Sequence, residues 1–237
     1  YVNSTFLISG NATNATTVNQ TISSLDEGAY NITIQATDEA YNSANYTITI
    51  YVDTTYPAIS LNYPEDTENF TATTVDLNFT ATDNMDEYLT CNLTLDGAIN
   101  RTNFQAQNTT ETKTTVSGLA EGSHQWSVTC WDNASNTNTS ETRSFNVYIA
   151  PIVNLTAPPH NNVSNNPTQT FYFNVSDDTG IENCSVILNG EINTSTTKTG
   201  SEITNHATNN ITISGLEGNY TWSVVCYDNT SMKMRGD

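Results

Sequence analysis

The segment GLAEGSHQWSVTCWDNA (Gly118–Ala134) occurs in related form at SLDEGAYNITIQATDEA (Ser24–Ala40) and GLEGNYTWSVVCYDNT (Gly215–Thr230). Gly28, Gly122 and Gly218 align, so the copies are spaced by 94 and 96 residues. An upstream segment repeats too, CNLTLDG at Cys91–Gly97 and CSVILNG at Cys184–Gly190, with STFLISG at Ser4–Gly10 as a weaker third copy. Pro57 and Pro151 open two of the repeats. A period of this size marks a small domain in a tandem array. Within a period the apolar residues alternate, the signature of half-buried strands. Val75, Leu77, Phe79 and Ala81 share one face, then Cys91, Leu93 and Leu95, then Trp126, Val128 and Cys130, then Phe145, Val147 and Ile149. About seven short strands per repeat and no helical periodicity predict two antiparallel sheets packed face to face. The expected domains are 1–56 (partial, its C-terminal strands), 57–150 (complete) and 151–237 (lacking its last strand).

Composition sets the compartment and excludes several partners. The chain has 237 residues, 25 acidic and 6 basic, with net charge −19. Nucleic acids and anionic membrane surfaces need Lys and Arg, so neither is expected as a partner. No run of 18 apolar residues suggests a membrane span in this segment. It starts at Tyr1 without a signal peptide, as a processed, truncated or partial chain would. Only 13% of residues are charged, so the polar surface comes from 33 Asn, 42 Thr and 20 Ser.

These residues are arranged in N-x-S/T sequons at Asn3, Asn11, Asn14, Asn19, Asn31, Asn45, Asn69, Asn78, Asn92, Asn100 and Asn108, and again at Asn133, Asn138, Asn154, Asn162, Asn174, Asn183, Asn193, Asn210, Asn219 and Asn229. That makes 21, where random mixing of this composition gives about 9, so N-glycosylation is expected. Strand parity agrees: Asn31, Asn78, Asn92 and Asn174 each sit between two inward positions and so point outward.

The four cysteines allow three pairings. Cys91 and Cys130 belong to the second repeat, Cys184 and Cys226 to the third, and the first has Ser4 and Ala36 in their places. Loss of both members together is what a bonded pair predicts, so Cys91–Cys130 and Cys184–Cys226 are expected, in an oxidising, extracellular setting. Buried free thiols are the alternative. The two cysteine strands are expected to be neighbours in one sheet, unlike the inter-sheet bond of antibody domains.

EGSHQWSVTCWDNASNTNTSETRSFNV at Glu121–Val147 resembles the final strands of tandem Ig-like repeats in cell-surface proteins of archaea and bacteria, and YVDTTYPAIS at Tyr51–Ser60 resembles their inter-repeat junction. The third repeat departs from this at Tyr148–Pro151, which lacks the Asp-Thr-Thr. The resemblance implies tandem Ig-like (fibronectin III-like) antiparallel β-sandwiches in a structural glycoprotein of a surface filament, surface layer (S-layer) or stalk, with an archaeal source expected. The alternative is an adhesin that binds a receptor or glycan through its loops. Partners would be neighbouring copies of the chain or other surface proteins. An unfinished third repeat would leave the Trp222/Cys226 strand open, either as a cut from a longer array or for completion by a neighbour's strand.

No nucleophile–base pair or phosphate-binding loop is present, so an enzyme is not expected. Loops meeting at one pole of a sandwich could gather Asp53, Asp83, Asp86, Glu87 and Asp132, oxygen ligands suited to calcium; solvated turn residues are the plainer reading. Asp177, Asp178 and Glu182 offer a lesser set in the third repeat. Arg235-Gly236-Asp237 is an RGD triplet, expected in a loop. Trp126 and Trp222 have inward parity, while Trp131 points outward, towards rim packing or a sugar.

Overall fold

The computed structural model describes residues 2–7 as backbone and residues 17–236 in full. The architecture is all-β, with tandem Ig-like antiparallel β-sandwiches. Two single-turn 3-10 segments, Thr194–Thr196 and Gly200–Glu202, are the only helical turns among the described residues. Contacts group the chain into two compact units, residues 1–62, 78–112 and 127–141, and residues 63–77, 113–126 and 142–237.

Strands β1 (Val2–Leu7), β2 (Gly28–Thr37) and β3 (Ser43–Val52) form the first sheet in that order. β2 and β3 are antiparallel, with Tyr30 opposite Ile50 and Ile32 opposite Ile48. β1 runs parallel to β2, with Ser4 opposite Tyr30. This corrects the reading of Ser4–Gly10 as a third copy of the cysteine strand, which in the third repeat runs antiparallel to its neighbour. Parallel neighbours need a connection of about a dozen residues or more, and residues 8–27 separate β1 from β2 in the sequence.

The next strands are β4 (Ala58–Tyr63), β5 (Glu68–Phe70), β6 (Thr74–Thr82), β7 (Tyr88–Leu95), β8 (Ala98–Gln107), β9 (Glu111–Ser117), β10 (Gly122–Trp131), β11 (Thr137–Thr139) and β12 (Arg143–Val147). They make one sheet of order β4-β6-β9 and another of order β5-β12-β10-β7-β8, with β11 beside β10. Burial follows the sequence alternation. Val75, Leu77, Phe79 and Ala81 on β6 are buried, and Asp76, Asn78 and Thr80 between them are half-exposed. Leu89, Cys91 and Leu93 are buried on β7, and His124, Trp126, Val128 and Cys130 on β10. The β7–β8 hairpin turns on Asp96 (φ 51°) and Gly97 (φ 76°), the two positive φ values of a type I′ turn. Asn189 (φ 48°) and Gly190 (φ 89°) repeat it in the third repeat. The aligned glycines Gly122 and Gly218 have φ of 128° and 101°, backbone that a side chain would strain.

The last strands are β13 (Ile152–Ala157), β14 (Gln169–Ser176), β15 (Ile181–Leu188), β16 (Glu191–Ile192), β17 (Lys198–Thr199), β18 (Ala207–Ile213), β19 (Trp222–Asp228) and β20 (Lys233–Gly236). They form a sheet of order β13-β14-β18 and one of order β16-β15-β19-β20, with β17 beside β15. Phe171, Phe173, Val175 and Ile211 from the first meet Cys184, Val186, Val224 and Cys226 from the second in one core. Trp222 packs at its margin, 5.0 Å from the Phe171 ring.

Strand β20 is the counterpart of β11 in the second repeat, Cys226 facing Met234 as Cys130 faces Asn138. It pairs antiparallel with β19 over Val224–Tyr227, so the Cys226 part of the edge expected to be open is covered. The RGD triplet is corrected with it: Arg235 and Gly236 lie in this strand, and Arg235 Nε donates to Ser223 Oγ at 2.7 Å. Asp237 lies outside the described residues. Cys91 is bonded to Cys130 and Cys184 to Cys226. Each bond joins adjacent strands of a single sheet, β7 to β10 and β15 to β19.

Candidate metal centre and glycan attachment surface

Asp53 follows β3, Asp86 lies in the β6–β7 loop, and Asp132 follows β10. One carboxylate oxygen from each lies within 4.8 Å of the others. Asp132 is buried, and Asp53 and Asp86 are half-buried. The chain's first Lys or Arg is Arg101, so none of the segments that carry Asp53 and Asp86 brings a cation of its own. Burial pushes the Asp53 carboxyl above its ordinary value; the Thr55 N–H opposes this, and the charges of Asp83, Asp132 and Glu27 add to it.

Amide and hydroxyl donors hold the group in shape. Asn136 donates its N–H to Asp132 Oδ1 and its Nδ2 to Oδ2, each at 2.8 Å. Asn133 donates its N–H and Nδ2 to Asp86. Glu27, absent from the sequence-based set, lies beside the same linker. Its Oε2 accepts the Thr55 hydroxyl at 2.5 Å and the Thr54 hydroxyl at 3.1 Å, and its Oε1 accepts Asn84 Nδ2. The Thr55 hydroxyl is the main cause that holds the Glu27 carboxyl below its ordinary value; Thr54 and Asn84 assist against desolvation. The equivalence of the Glu-Gly turns at Gly28 and Gly122 was the signal that could have revealed it.

Asp83 and Glu87 are not part of the three-carboxylate group. Asp83 Oδ1 turns back to accept the N–H groups of Met85 (2.9 Å) and Asp86 (3.2 Å), which shapes the loop, and the Glu87 carbonyl accepts Asn108 N–H. Three carboxylates in reach of one point can supply hard oxygen ligands to a calcium-sized ion.

The sequons occupy the outer surface. Asn11 and Asn14 lie outside the described residues, and Asn3 lies in the backbone-only segment. Asn19, Asn45, Asn69, Asn100, Asn133, Asn138, Asn154, Asn162, Asn174, Asn210, Asn219 and Asn229 are exposed. Asn31, Asn78, Asn92, Asn108, Asn183 and Asn193 are half-exposed. The buried asparagine, Asn209, is not part of a sequon. A few sequon amides already have partners. Asn108 Nδ2 donates to the carbonyls of Asp83 (2.7 Å) and Asp86 (2.6 Å), Asn138 Nδ2 to Pro57 O (2.8 Å) and Asn229 Nδ2 to Thr179 O (2.7 Å).

The remaining sequence candidates are packing residues. His124 is buried, stacked on Phe145 at 5.3 Å, with Nε2 donating to the Ala120 carbonyl. Trp131 is half-buried. Among the described residues no helix is long and apolar enough to cross a membrane.

No protein-family model matches the chain. Over 108 residues, 46% of its length, it is 37% identical to halomucin of Haloquadratum walsbyi, and this match spans 1% of that protein. Among solved structures it is similar to the fibronectin(III)-like modules of Clostridium thermocellum CbhA, at 18% identity over 75% of this chain and 90% of that one (TM-score 0.32). It is similar also to an I-band fragment of titin, at 11% identity over 78% and 64% (TM-score 0.43). The sequence match is thus to halomucin, and the structural likenesses are to fibronectin III and Ig-like modules.

Proposed function

We propose that the chain is part of an N-glycosylated structural protein of an archaeal cell surface, built as an array of Ig-like repeats in a filament, surface layer or stalk. The observation that carries this is the placement of the sequons: 18 of the 21 have described side chains, and none of the 18 is buried. Such a pattern fits a chain that wears glycans on its surface while each repeat keeps its own core. The disulfides and the halomucin match support an extracellular setting. The repeats divide as 1–56, 57–150 and 151–237, with β20 pairing part of the last edge. Their work is mechanical: each sandwich resists extension, and the cross-strand disulfides limit how far it opens. Calcium at Asp53, Asp86 and Asp132 would stiffen this array further, and a calcium titration that leaves the thermal midpoint unmoved removes that element.

The adhesin reading has one observation in its favour. A cleft in the third repeat is lined by Pro158, His160, Phe171, Tyr220 and Trp222, an aromatic floor that would suit a sugar. Sequons Asn162 and Asn219 also line it, so glycans there would screen it. The deciding experiment is peptide mapping of native material before and after glycan release. Heavy occupancy of the exposed sequons is expected. Bare asparagines throughout would overturn the glycoprotein reading, and occupancy that spares Asn162 and Asn219 would favour the adhesin.

A further inference from the structure

The second repeat shows what its last strand does. β12 lies between β5, to which it runs parallel, and the Gly122–Trp126 half of β10, to which it is antiparallel. Its Phe145 and Val147 are fully buried. Phe145 stacks on His124 at 5.3 Å and meets Phe70 edge-on at 5.8 Å. Leu119, His124 and Trp126 of this repeat are all buried.

The third repeat builds the same surroundings. Thr67 and Asn161 hold the same positive φ, 65° and 60°. The residue after each, Glu68 and Asn162, donates its N–H to the carbonyl three residues back, at 3.2 Å in both repeats. Leu119 N–H reaches the Thr73 carbonyl at 3.0 Å, and its counterpart Leu216 reaches that of Pro167 at 2.9 Å. β19 takes the place of β10, and β20 pairs it only along Val224–Tyr227, as β11 pairs β10. Beside Trp222 and Ser223, where the second repeat has β12, lies a cleft of about 740 Å³. Leu216, Tyr220 and Trp222 line it, the counterparts of Leu119, His124 and Trp126. Tyr220 is 40% exposed, against 7% for His124, and Leu216 and Trp222 are half-buried. Three positions that are buried in one repeat thus open onto one cleft in the other. No carboxylate lines this cleft, in a chain that has 25 acidic residues, so it does not repel an acidic chain.

We propose that the cleft is a seat for one added strand, an extended segment from a neighbouring Ig-like chain that runs antiparallel to β19. The segment carries a large apolar side chain two residues ahead of a β-branched one, as Phe145 and Val147 stand on β12. Backbone pairing along the stretch of β19 that β20 leaves uncovered gives the affinity, and the two alternate side chains entering the cleft give the specificity. The sequons at Asn162 and Asn219 leave room for this. Their counterparts Glu68 and Ser123 are half-exposed and exposed beside the seated β12. The seat stands on the geometry of the third repeat and does not depend on glycan occupancy, which peptide mapping decides separately.

The probe is a synthetic peptide of residues 141–149, the β12 segment, added to the unglycosylated chain. Calorimetry should show one peptide bound per chain, and amide hydrogen exchange should slow at residues 220–223 and 162–164. Phe145→Ala in the peptide removes the side chain that fills the cleft, so its affinity should fall about tenfold or more. The change lies in the peptide, so the fold of the chain is not in question. No binding, equal affinity of the two peptides, or protection confined to the second repeat overturns the seat. Protection of residues 220–223 by maltoheptaose and not by the peptide assigns the cleft to a sugar and overturns it too. Crosslinking through Tyr220 in native material tests the source of the strand. A product that joins two chains is expected, and a crosslink that leaves the mass at one chain overturns the neighbour as donor.

Discussion

Asn108 begins a sequon, yet its side chain is a tie within the fold. Its Oδ1 accepts the Asp83 N–H at 3.0 Å, and its Nδ2 reaches the carbonyls of Asp83 and Asp86 at 2.7 and 2.6 Å. Asn205 makes the same bonds to the Asp177 N–H and carbonyl, at 3.0 and 2.6 Å, and Asn205-His206-Ala207 is no sequon. The position therefore needs an asparagine whether or not a glycan follows. Asn108→Ala removes three part-buried hydrogen bonds worth about 1 kcal/mol each. Side-chain freedom regained offsets up to about 1 kcal/mol, so the expected loss is about 2–3 kcal/mol. Asn100→Ala, on the exposed face of β8, should stay within about 0.5 kcal/mol of the parent. Urea unfolding of unglycosylated chain, followed by the fluorescence of Trp126 and Trp131, measures both. Equal midpoints for the two variants would refute the argument. The same geometry predicts occupancy, because a sugar on Nδ2 removes one of its two N–H donors. Peptide maps of native material should show Asn108 bare and Asn100 modified.

The disulfides close loops with separations of 39 and 42 residues, so replacing either pair with alanine should cost about 4 kcal/mol in the chain-entropy account. A loss under about 1 kcal/mol, read from the urea midpoint, would show that the strands are held without the bond. Glu121 sets a pH dependence of definite sign. Burial holds its folded-state carboxyl above the ordinary 4.5, so the folded chain holds the proton longer than the unfolded one. In EDTA, its contribution should fall as pH rises through that window, and Glu121→Gln should abolish this slope. A variant and parent with parallel profiles across pH 4–7 would contradict the burial of that carboxyl.

Much of the fold was legible because it is written in alternation and repeated. Cys91 and Cys184 recur with the hairpin turns Asp96-Gly97 and Asn189-Gly190, so strand order and cysteine neighbours followed from one alignment. The direction of β1 was not legible, since strand propensity says nothing about which way a chain runs beside its partner; the connection decides that. Strand β20 was missed because Lys233–Gly236 has no inward apolar row: Met234 is 43% exposed, and the buried position is Gly236. For the metal group, topology was enough to bring Asp53, Asp86 and Asp132 to one pole. It could not separate Asp86 from Asp83 and Glu87, neighbours in one loop whose side chains turn different ways. Which donors each carboxylate finds was not legible either, because neither composition nor alternation says which way a neutral side chain turns.

That question also gives the composition a second meaning. With 25 acidic and 6 basic residues, most carboxylates here have no cationic partner to meet. The structure supplies amides and hydroxyls instead. Asp38 takes Asn42, Asp132 takes Asn136, Asp66 takes Ser144 and Glu27 takes Thr54, Thr55 and Asn84. These donors hold Asp38, Asp66 and Glu27 below their ordinary values, with Asn42, the Ser144 N–H and the Thr55 hydroxyl as the leading causes. Lys113 beside Asp76, 2.6 Å away, shows the alternative that the chain has few residues to use. Asn, Thr and Ser therefore serve two ends, as sequon residues on the outer faces and as neutral partners for carboxylates in the turns. The two uses compete at Asn108 and Asn133, where the fold takes the amide that a glycan would need. At Glu121 and Asp228 the supply falls short: one oxygen of each keeps neutral donors, and the other is buried with none.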